Sequence, residues 1–449
     1  MVSTQLSVTN HQLPVVGKEG AIMNRFTRQP VILVQIVLVF AAWHGLPARE
    51  NTAKMAVPQP LFDGKTLDGW EVRSGLAKYN VEDGQIVGTT VEGSPNTFLC
   101  TKKMYGDFEL EFEVKDDPAL NSGVQIRSHI YEKDTTVWMA KEARKIKRVH
   151  EAGRVYGYQV EISSEKTGAS GGIYDEARKG IWLYDVSKDP IASSAFKDNQ
   201  WNKFRVVCMG DSIKTWVNGV PCADLRDPVD QIGFIGLQVH SFRGEEPAQV
   251  RWRNIRIKDM GRHVWKPLFD GRSLEGWHTI PGGKWEVRDG VIEGSNVKSD
   301  KRHGLLVSDK RYGDFVVRLS FKAVKGNSGL YFRTDKVEGS VGIHGFQAEI
   351  DESKDVGGLY ETGGRAWVAQ PSAEEVATWF KPQDWNQMTV SAHERRIVVH
   401  VNDQKTAELN NDQGRLEGHL ALQLHGGQDV QVMFKDIEIL DTDEHRQKH

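Results

Sequence analysis

The chain writes one pattern twice. LFDGKTLDGW, from Leu61, returns as LFDGRSLEGW, from Leu268. YGDF (Tyr105 to Phe108, then Tyr312 to Phe315) and NSG (Asn121 to Gly123, then Asn327 to Gly329) follow in the same order. So do a Gly-aromatic-Gln-x-Glu-Ile stretch (Gly157 to Ile162, then Gly345 to Ile350) and GG-x-Tyr (Gly171 to Tyr174, then Gly357 to Tyr360). Trp-Asn (Trp201, Trp385) and Leu-Gln-x-His (Leu237 to His240, then Leu422 to His425) close the series. A period of roughly 200 residues is too long for a solenoid or propeller unit, so each copy buries its own core. The connection KDMGRHV, from Lys258, leaves little slack, and the two copies are expected to touch. The boundaries read as 1–55 for a leader, 56–262 and 263–442 for the two copies, and 443–449 for a polar tail.

A formal net charge of -3 and the absence of a basic tract argue against a nucleic-acid partner. One apolar run, Val31 to Trp43, is about 13 residues long, short of the roughly 20 that span a bilayer as a helix. With Arg25 and Arg28 before it and Ala48 after it, the run reads as a secretory signal, with initiation at Met23 and a mature N-terminus between Ala48 and Met55. Loss of residues 1–48 removes Lys18, Glu19, Arg25 and Arg28 and leaves a formal charge of -5. A periplasmic or extracellular protein with no membrane span after cleavage is expected. Cys100, Cys208 and Cys222 all lie in the first copy, so a disulfide would be a local accessory rather than a framework.

Strand patterning dominates. EFEVK around Glu111, VQIRS around Val124, YQVEIS around Tyr158, FRVVCM around Phe204, IKTWVNG around Ile213 and VRWRNIRIK around Val250 alternate between apolar and polar residues. Two short helices are expected, over Glu142 to Glu151 in a basic insertion of the first copy and over Ala373 to Trp379 in the second. The fold class is all-β: two tandem jelly-roll β-sandwiches.

Residues two apart on a strand share a face. That pairs Gln125 with Arg127, Gln159 with Glu161, and Gln238 with His240 in the first copy. In the second it groups Tyr331 with Arg333, Gln347 with Glu349 and Asp351, and Gln423 with His425. The alternate residues Val124, Ile126, Val160, Ile162, Leu237 and Val239 are apolar, so one face is core and the other polar. On a concave sheet these amides, guanidinium groups and carboxylates suit the gripping of sugar hydroxyls. Tyr174, Trp182, Tyr360 and Trp367 offer a stacking wall, although both tryptophans also suit a core. The alternative for the whole row is an ordinary solvated sheet face.

The ordered set LFDG-x-x-L-x-GW, Tyr79 to Gly88 (Trp285 to Gly294 in the second copy), YGDF, NSG, GG-x-Y and Trp-Asn, with Asn254-Ile255-Arg256-Ile257 closing the first copy, resembles the bacterial 3-keto-disaccharide hydrolase family from Leu61 to Leu440. The resemblance implies a concanavalin-A-like or laminin-G-like sandwich. It further implies cleavage of glycosides already oxidised at carbon 3, by elimination across C1 and C2 followed by hydration. The opening motif itself reads as a strand-closing corner, with Trp70 and Trp277 packed on the core. Under the implied chemistry Glu161 and Glu349 are the expected bases, with Asp351 keeping one carboxyl protonated beside Glu349. Arg127 and Arg333 are placed near the oxyanion, and His240 and His425 are the acids to the leaving oxygen. Gln125, Gln159, Gln238, Tyr331, Gln347 and Gln423 complete the substrate contacts. No cofactor is identified, and a divalent metal held by the same His and carboxylate groups is an open alternative. The second copy is expected to be the stronger catalyst. A binding module that turns nothing over, or an envelope adhesion unit, are the competing classes.

Overall fold

The computed structural model describes residues 57–441 apart from 142–143 and 245–246. The apolar run 31–43, the cleavage region and the tail 443–449 lie outside the described residues. Among the described residues no helix is long and apolar enough to cross a membrane.

The fold is all-β, in two jelly-roll sandwiches. Each copy is built on two antiparallel sheets, the first copy adding a two-stranded hairpin, and among the described residues no strand of one copy pairs with a strand of the other. In the back sheet of the first copy the strand Phe108–Asp116 runs between Asn202–Met209 and Gln249–Asp259. Its alternation shows why it is a strand. Phe108, Leu110, Phe112 and Val114 are buried in the core, while Glu109, Glu111 and Glu113 face outward to Arg205, Lys203 and Arg253. Each fully buried Phe or Leu contributes about 1.5–3 kcal/mol. The front sheet places Ser122–Ile130 between Val155–Ile162 and Phe234–Val239. Val124, Ile126, Val160, Ile162, Leu237 and Val239 form its core side.

The second copy repeats this order. Phe315–Lys325 is central in its back sheet, and Ser328–Lys336 runs between Ile343–Ile350 and Gly418–Leu424 in its front sheet. The opening motif behaves as a corner in both. Asp63 accepts from the backbone of Lys65 and Thr66, Asp270 accepts from Arg272 and Ser273, and Trp70 and Trp277 are buried.

The helix Ala373–Trp379 is present, with Ser372 and Glu375 forming a capping box. The helix expected over Glu142 to Glu151 is not formed by its described residues. Thr135–Lys141 and Arg144–His150 instead make a β-hairpin, with Val137 opposite Arg148 and Trp138 opposite Lys147. The basic stretch has period two once TTVWMA is read as its partner strand, and β-branched Ile146 and Val149 favour that outcome. Met139 of the hairpin packs against Gly180, close to the Tyr174 hydroxyl.

The two sandwiches touch. Ser391 donates to Asp211, His393 Nε2 lies 3.1 Å from Asp211 Oδ1, and Arg396 reaches Asp224 at 3.2 Å. Burial opposes the charge of Asp211, but His393 and Arg226 outweigh it and hold the carboxyl well below the usual range.

Candidate functional site

The polar face of each front sheet carries a carboxylate cradle, and the NSG motif builds it. In the second copy Asn327 donates to Glu349 Oε1, and the Ser328 hydroxyl ties down the Gln423 carbonyl at 2.6 Å. Gly329 leaves room for Gln347 to lie across the strand, since a Cβ there would sit 2.4 Å from Gln347 Nε2. Gln347 Nε2 then reaches Glu349 Oε2 at 2.8 Å and Gln423 Oε1 at 3.0 Å. In the first copy Asn121 reaches Glu161 Oε1 at 2.5 Å, and Gln159 reaches Glu161 Oε2 at 3.0 Å. Gln125 and Gln238 both donate to Gln159 Oε1.

Both glutamates are nearly sealed from solvent. Burial pushes the Glu349 carboxyl up to about 8, with Asn327 opposing and the charges of Asp351 and Asp355 adding. Glu161 is pushed up to about 7 by burial, against the hydrogen bonds from Asn121 and Gln159, with Glu176 adding.

Around Glu349 the second copy opens a cavity of about 360 Å³. Its lining includes Tyr331, Gln347, Tyr360, Trp367, Gln423 and His425, all expected from the sequence. Tyr360 and Trp367 meet edge to face with ring centroids 5.3 Å apart, and Tyr174 and Trp182 repeat the contact at 5.3 Å. Trp182 is 37% exposed and Trp367 lines the cavity, so neither is sealed in the core. Tyr331 donates or accepts at Thr362 Oγ1 over 2.8 Å. His425 Nδ1 lies 2.8 Å from the Gly426 carbonyl and 3.2 Å from the Gln428 amide, and among the described residues no hydrogen bond engages its Nε2. His240 Nδ1 lies 2.8 Å from the Ser241 carbonyl in the same way.

Three expectations are corrected. Arg127 and Arg333 do not share the face of Gln125 and Tyr331. Each has a left-handed backbone, φ 46° and 49°, at a bulge where the register of the strand pair shifts. The extra residue breaks the two-residue alternation and turns the guanidinium inward. Arg127 is 0% and Arg333 1% exposed. Arg127 donates to the Gly106 and Gly210 carbonyls and pairs with Asp107 at 3.1 Å; Arg333 donates to Gly313 and Glu394 and pairs with Asp314 at 3.4 Å. They lock the YGDF corner and cannot reach a substrate.

Asp351 is the third. The strand ends at Ile350, and the Asp351 carboxylate caps a turn by accepting from Ser353 and Lys354. It acts on Glu349 through its field only.

Several site residues were not singled out from the sequence. Asn121 and Asn327 carried a signal, because NSG recurs at matched positions. His303 carried none, because it precedes its strand in a loop and its counterpart in the first copy is Asn96. His303 lines the cavity, with its ring centroid 4.4 Å from that of His425. Burial, and then the neighbouring His425, push it down to about 4.

Among the described residues no group of three or more His, Cys, Asp or Glu side chains comes together that could hold a metal ion. Both Glu349 oxygens accept amide hydrogens.

No curated protein matches the chain. Among solved structures it is similar to a Parabacteroides distasonis protein provisionally described as a glycosyl hydrolase, at 21% identity over 39% of this chain and 93% of that one, with a TM-score of 0.31. A carbohydrate-binding module, CBM66 of Bacillus subtilis, gives 18% identity over 36% and 93%, with a TM-score of 0.30. A Bacillus subtilis protein of unknown function with a galectin-like fold gives 13% over 40% and 98%, with a TM-score of 0.31. A family model matches twice, over residues 57–258 and 264–440. Through both of its sandwiches the chain belongs to the family of 3-keto-alpha-glucoside-1,2-lyase-like domains, and that membership supports a carbohydrate-active function.

Proposed function

We propose that the second sandwich cleaves glycosides oxidised at carbon 3, and that the first serves it as a scaffold or secondary sugar contact. The observation that carries this reading is Glu349, a buried carboxyl poised near neutral pH and facing a cavity walled by Tyr360 and Trp367. A ketone at carbon 3 acidifies the hydrogen on carbon 2. Glu349 takes that proton, and the C–H electron pair forms an enolate across C2 and C3. The enolate collapses to restore the ketone, makes the C1–C2 double bond and breaks the bond from C1 to the leaving oxygen. His425, through Nε2, returns a proton to that oxygen. Addition of water across C1 and C2 completes net hydrolysis. A carboxyl at about 8 matches a base working at neutral to mildly alkaline pH.

Gln347 and Gln423 are the proposed grip on the sugar hydroxyls, and the Tyr360–Trp367 corner the stacking surface. We also place the activity outside the cytoplasm, on the reading of residues 1–55 as an export signal.

The test is the purified full chain with a 3-keto-disaccharide and with its unoxidised parent, with and without chelator. Cleavage of the oxidised sugar alone, unaffected by chelator, is expected. Binding without turnover would favour a carbohydrate-binding module, and equal cleavage of the parent would make the protein an ordinary glycosidase.

A further inference from the structure

With Arg127 and Arg333 sealed in the fold, neither faces the oxygen that gains charge during proton abstraction. We infer that His303 fills this role as a neutral imidazole, donating a hydrogen bond from Nε2 to the substrate's carbon-3 oxygen, with its tautomer fixed by the relay of Gln347 and Gln423. The inference rests on the 3-keto reading of the same cavity.

The direction of the relay is set at one end. In its ionised, base-competent form, populated above about pH 8, the Glu349 carboxylate only accepts, so Gln347 turns its NH₂ to Glu349 Oε2 at 2.8 Å. The same NH₂ lies 3.0 Å from Gln423 Oε1, which fixes the Gln423 amide in turn. Gln423 must then present its own NH₂ to His303 Nδ1 at 2.9 Å and to the Tyr331 hydroxyl at 3.3 Å. An amide NH₂ carries no lone pair for a hydrogen bond, so Nδ1 is the accepting nitrogen and the ring hydrogen sits on Nε2. Protonating Nδ1 as well would set one N–H against another. Burial and the nearby His425 work in the same direction, holding the ring neutral at pH 7.

The arrangement is specific to the second copy. The first has Asn96 at the matching position, and Gln238 runs its amide the opposite way, donating to Gln159 Oε1 at 2.9 Å. Gln238 Oε1 is left buried without a partner among the described residues.

In the reaction His303 transfers no proton. Its Nε2–H is aimed at the oxygen on which the C2 electron pair arrives and from which it returns when the C1 bond breaks. A preorganised donor at a developing oxyanion is worth about 10²–10³ in rate.

The test combines two measurements on the full chain. In protein labelled with ¹⁵N-histidine, His303 should be neutral at about pH 9, where Glu349 is ionised, with the hydrogen on Nε2. Gln423→Glu, which puts an acceptor opposite Nδ1, should move the hydrogen to Nδ1. In deuterium oxide the wild type should exchange the carbon-2 hydrogen of a 3-keto-glucoside. His303→Asn, which installs the residue the first copy carries, should slow that exchange about 10²-fold or more, with ground-state binding changed only a few-fold. An imidazolium or an Nδ1–H tautomer in the wild type would overturn the inference, as would exchange by His303→Asn at more than about a tenth of the wild-type rate. A wild type that neither exchanges nor cleaves the sugar would overturn the proposed function itself, whatever the tautomer.

Discussion

The two copies share one carboxylate cradle and differ at its rim. In the first, Arg154 pairs with Glu176, Asn96 donates to the same Glu176 oxygen at 3.1 Å, and the Arg154 guanidinium lies 5.4 Å from the centre of the Phe98 ring. The strand registers place His303, Gly342 and Thr362 at these three positions of the second copy. A cross-linked trio of charged and polar side chains thus stands where the second copy has an imidazole, a glycine and a small hydroxyl. The elements that hold a carboxyl in an awkward state, Asn, Gln and the NSG glycine, are common to both. What decides whether a sugar can reach it lies in residues without a shared motif.

The largest test of this difference is catalytic. Glu349→Gln is expected to lower turnover of a 3-keto-glycoside by about 10²–10⁴-fold, the range of a lost general base. Glu161→Gln should keep most of the activity. Equal losses in steady-state assays would mean two working sites.

Stability comes next, and there the copies should behave alike. Arg127→Met and Arg333→Met each remove a guanidinium bonded to a buried aspartate and to backbone carbonyls, while Asp107 keeps His263 at 2.6 Å and Asp314 keeps the Glu394 N–H, at a cost of about 1–3 kcal/mol. Calorimetry should show a lowered melting temperature for both, and turnover at low temperature should survive in Arg127→Met. Unchanged melting would mean that the arginines are not the corner locks the geometry makes them.

The pH dependence is subtler. With its folded value raised to about 8, Glu349 is a base only when ionised, so kcat/KM should rise with pH through about 8. Stability runs the other way. A carboxyl raised on folding contributes stability that is full below its unfolded value of about 4.5 and is lost as pH climbs through the folded value. Melting temperature should therefore fall between pH 5 and 9, through Asp175 near 6, Asp116 and Glu161 near 7 and last through Glu349 near 8. Glu349→Gln should remove the later part of that fall, and a parallel decline in wild type and variant would argue against it.

The smallest effect is expected from the hairpin. It leans on Gly180 beside Tyr174 of the first copy, so deleting residues 133–150 should leave second-copy turnover within about two-fold and the fold intact, as loop excisions at exposed sites do. A large loss of activity would tie the first copy's rim to catalysis.

Much of this architecture is legible in the sequence. Alternation in FELEFEV and YQVEI marks strands with a definite inner face, and the capping box Ser372-x-x-Glu375 marks the short α-helix Ala373–Trp379. Alternation fails where the backbone departs from it. Nothing in VQIRS or LYFRT announces the left-handed turn at Arg127 and Arg333, and counting by two puts those side chains on the wrong face. Asp351 fails likewise, one step past the strand end. The basic hairpin was hidden because charge obscures a period-two pattern whose partner strand lies upstream. His303 shows a different limit, since it joins the site from a loop and only the fold brings it beside His425.

The central claim is that the second copy, and not the first, is open to an oxidised sugar. A crystal structure of Glu349→Gln soaked with a 3-keto-disaccharide tests it most directly. The account predicts the sugar in the second sandwich, its ring against Tyr360 and Trp367 and its carbon-3 oxygen toward His303, with the Glu161 face empty. A sugar bound at Glu161, or seated between the two sandwiches, would contradict it.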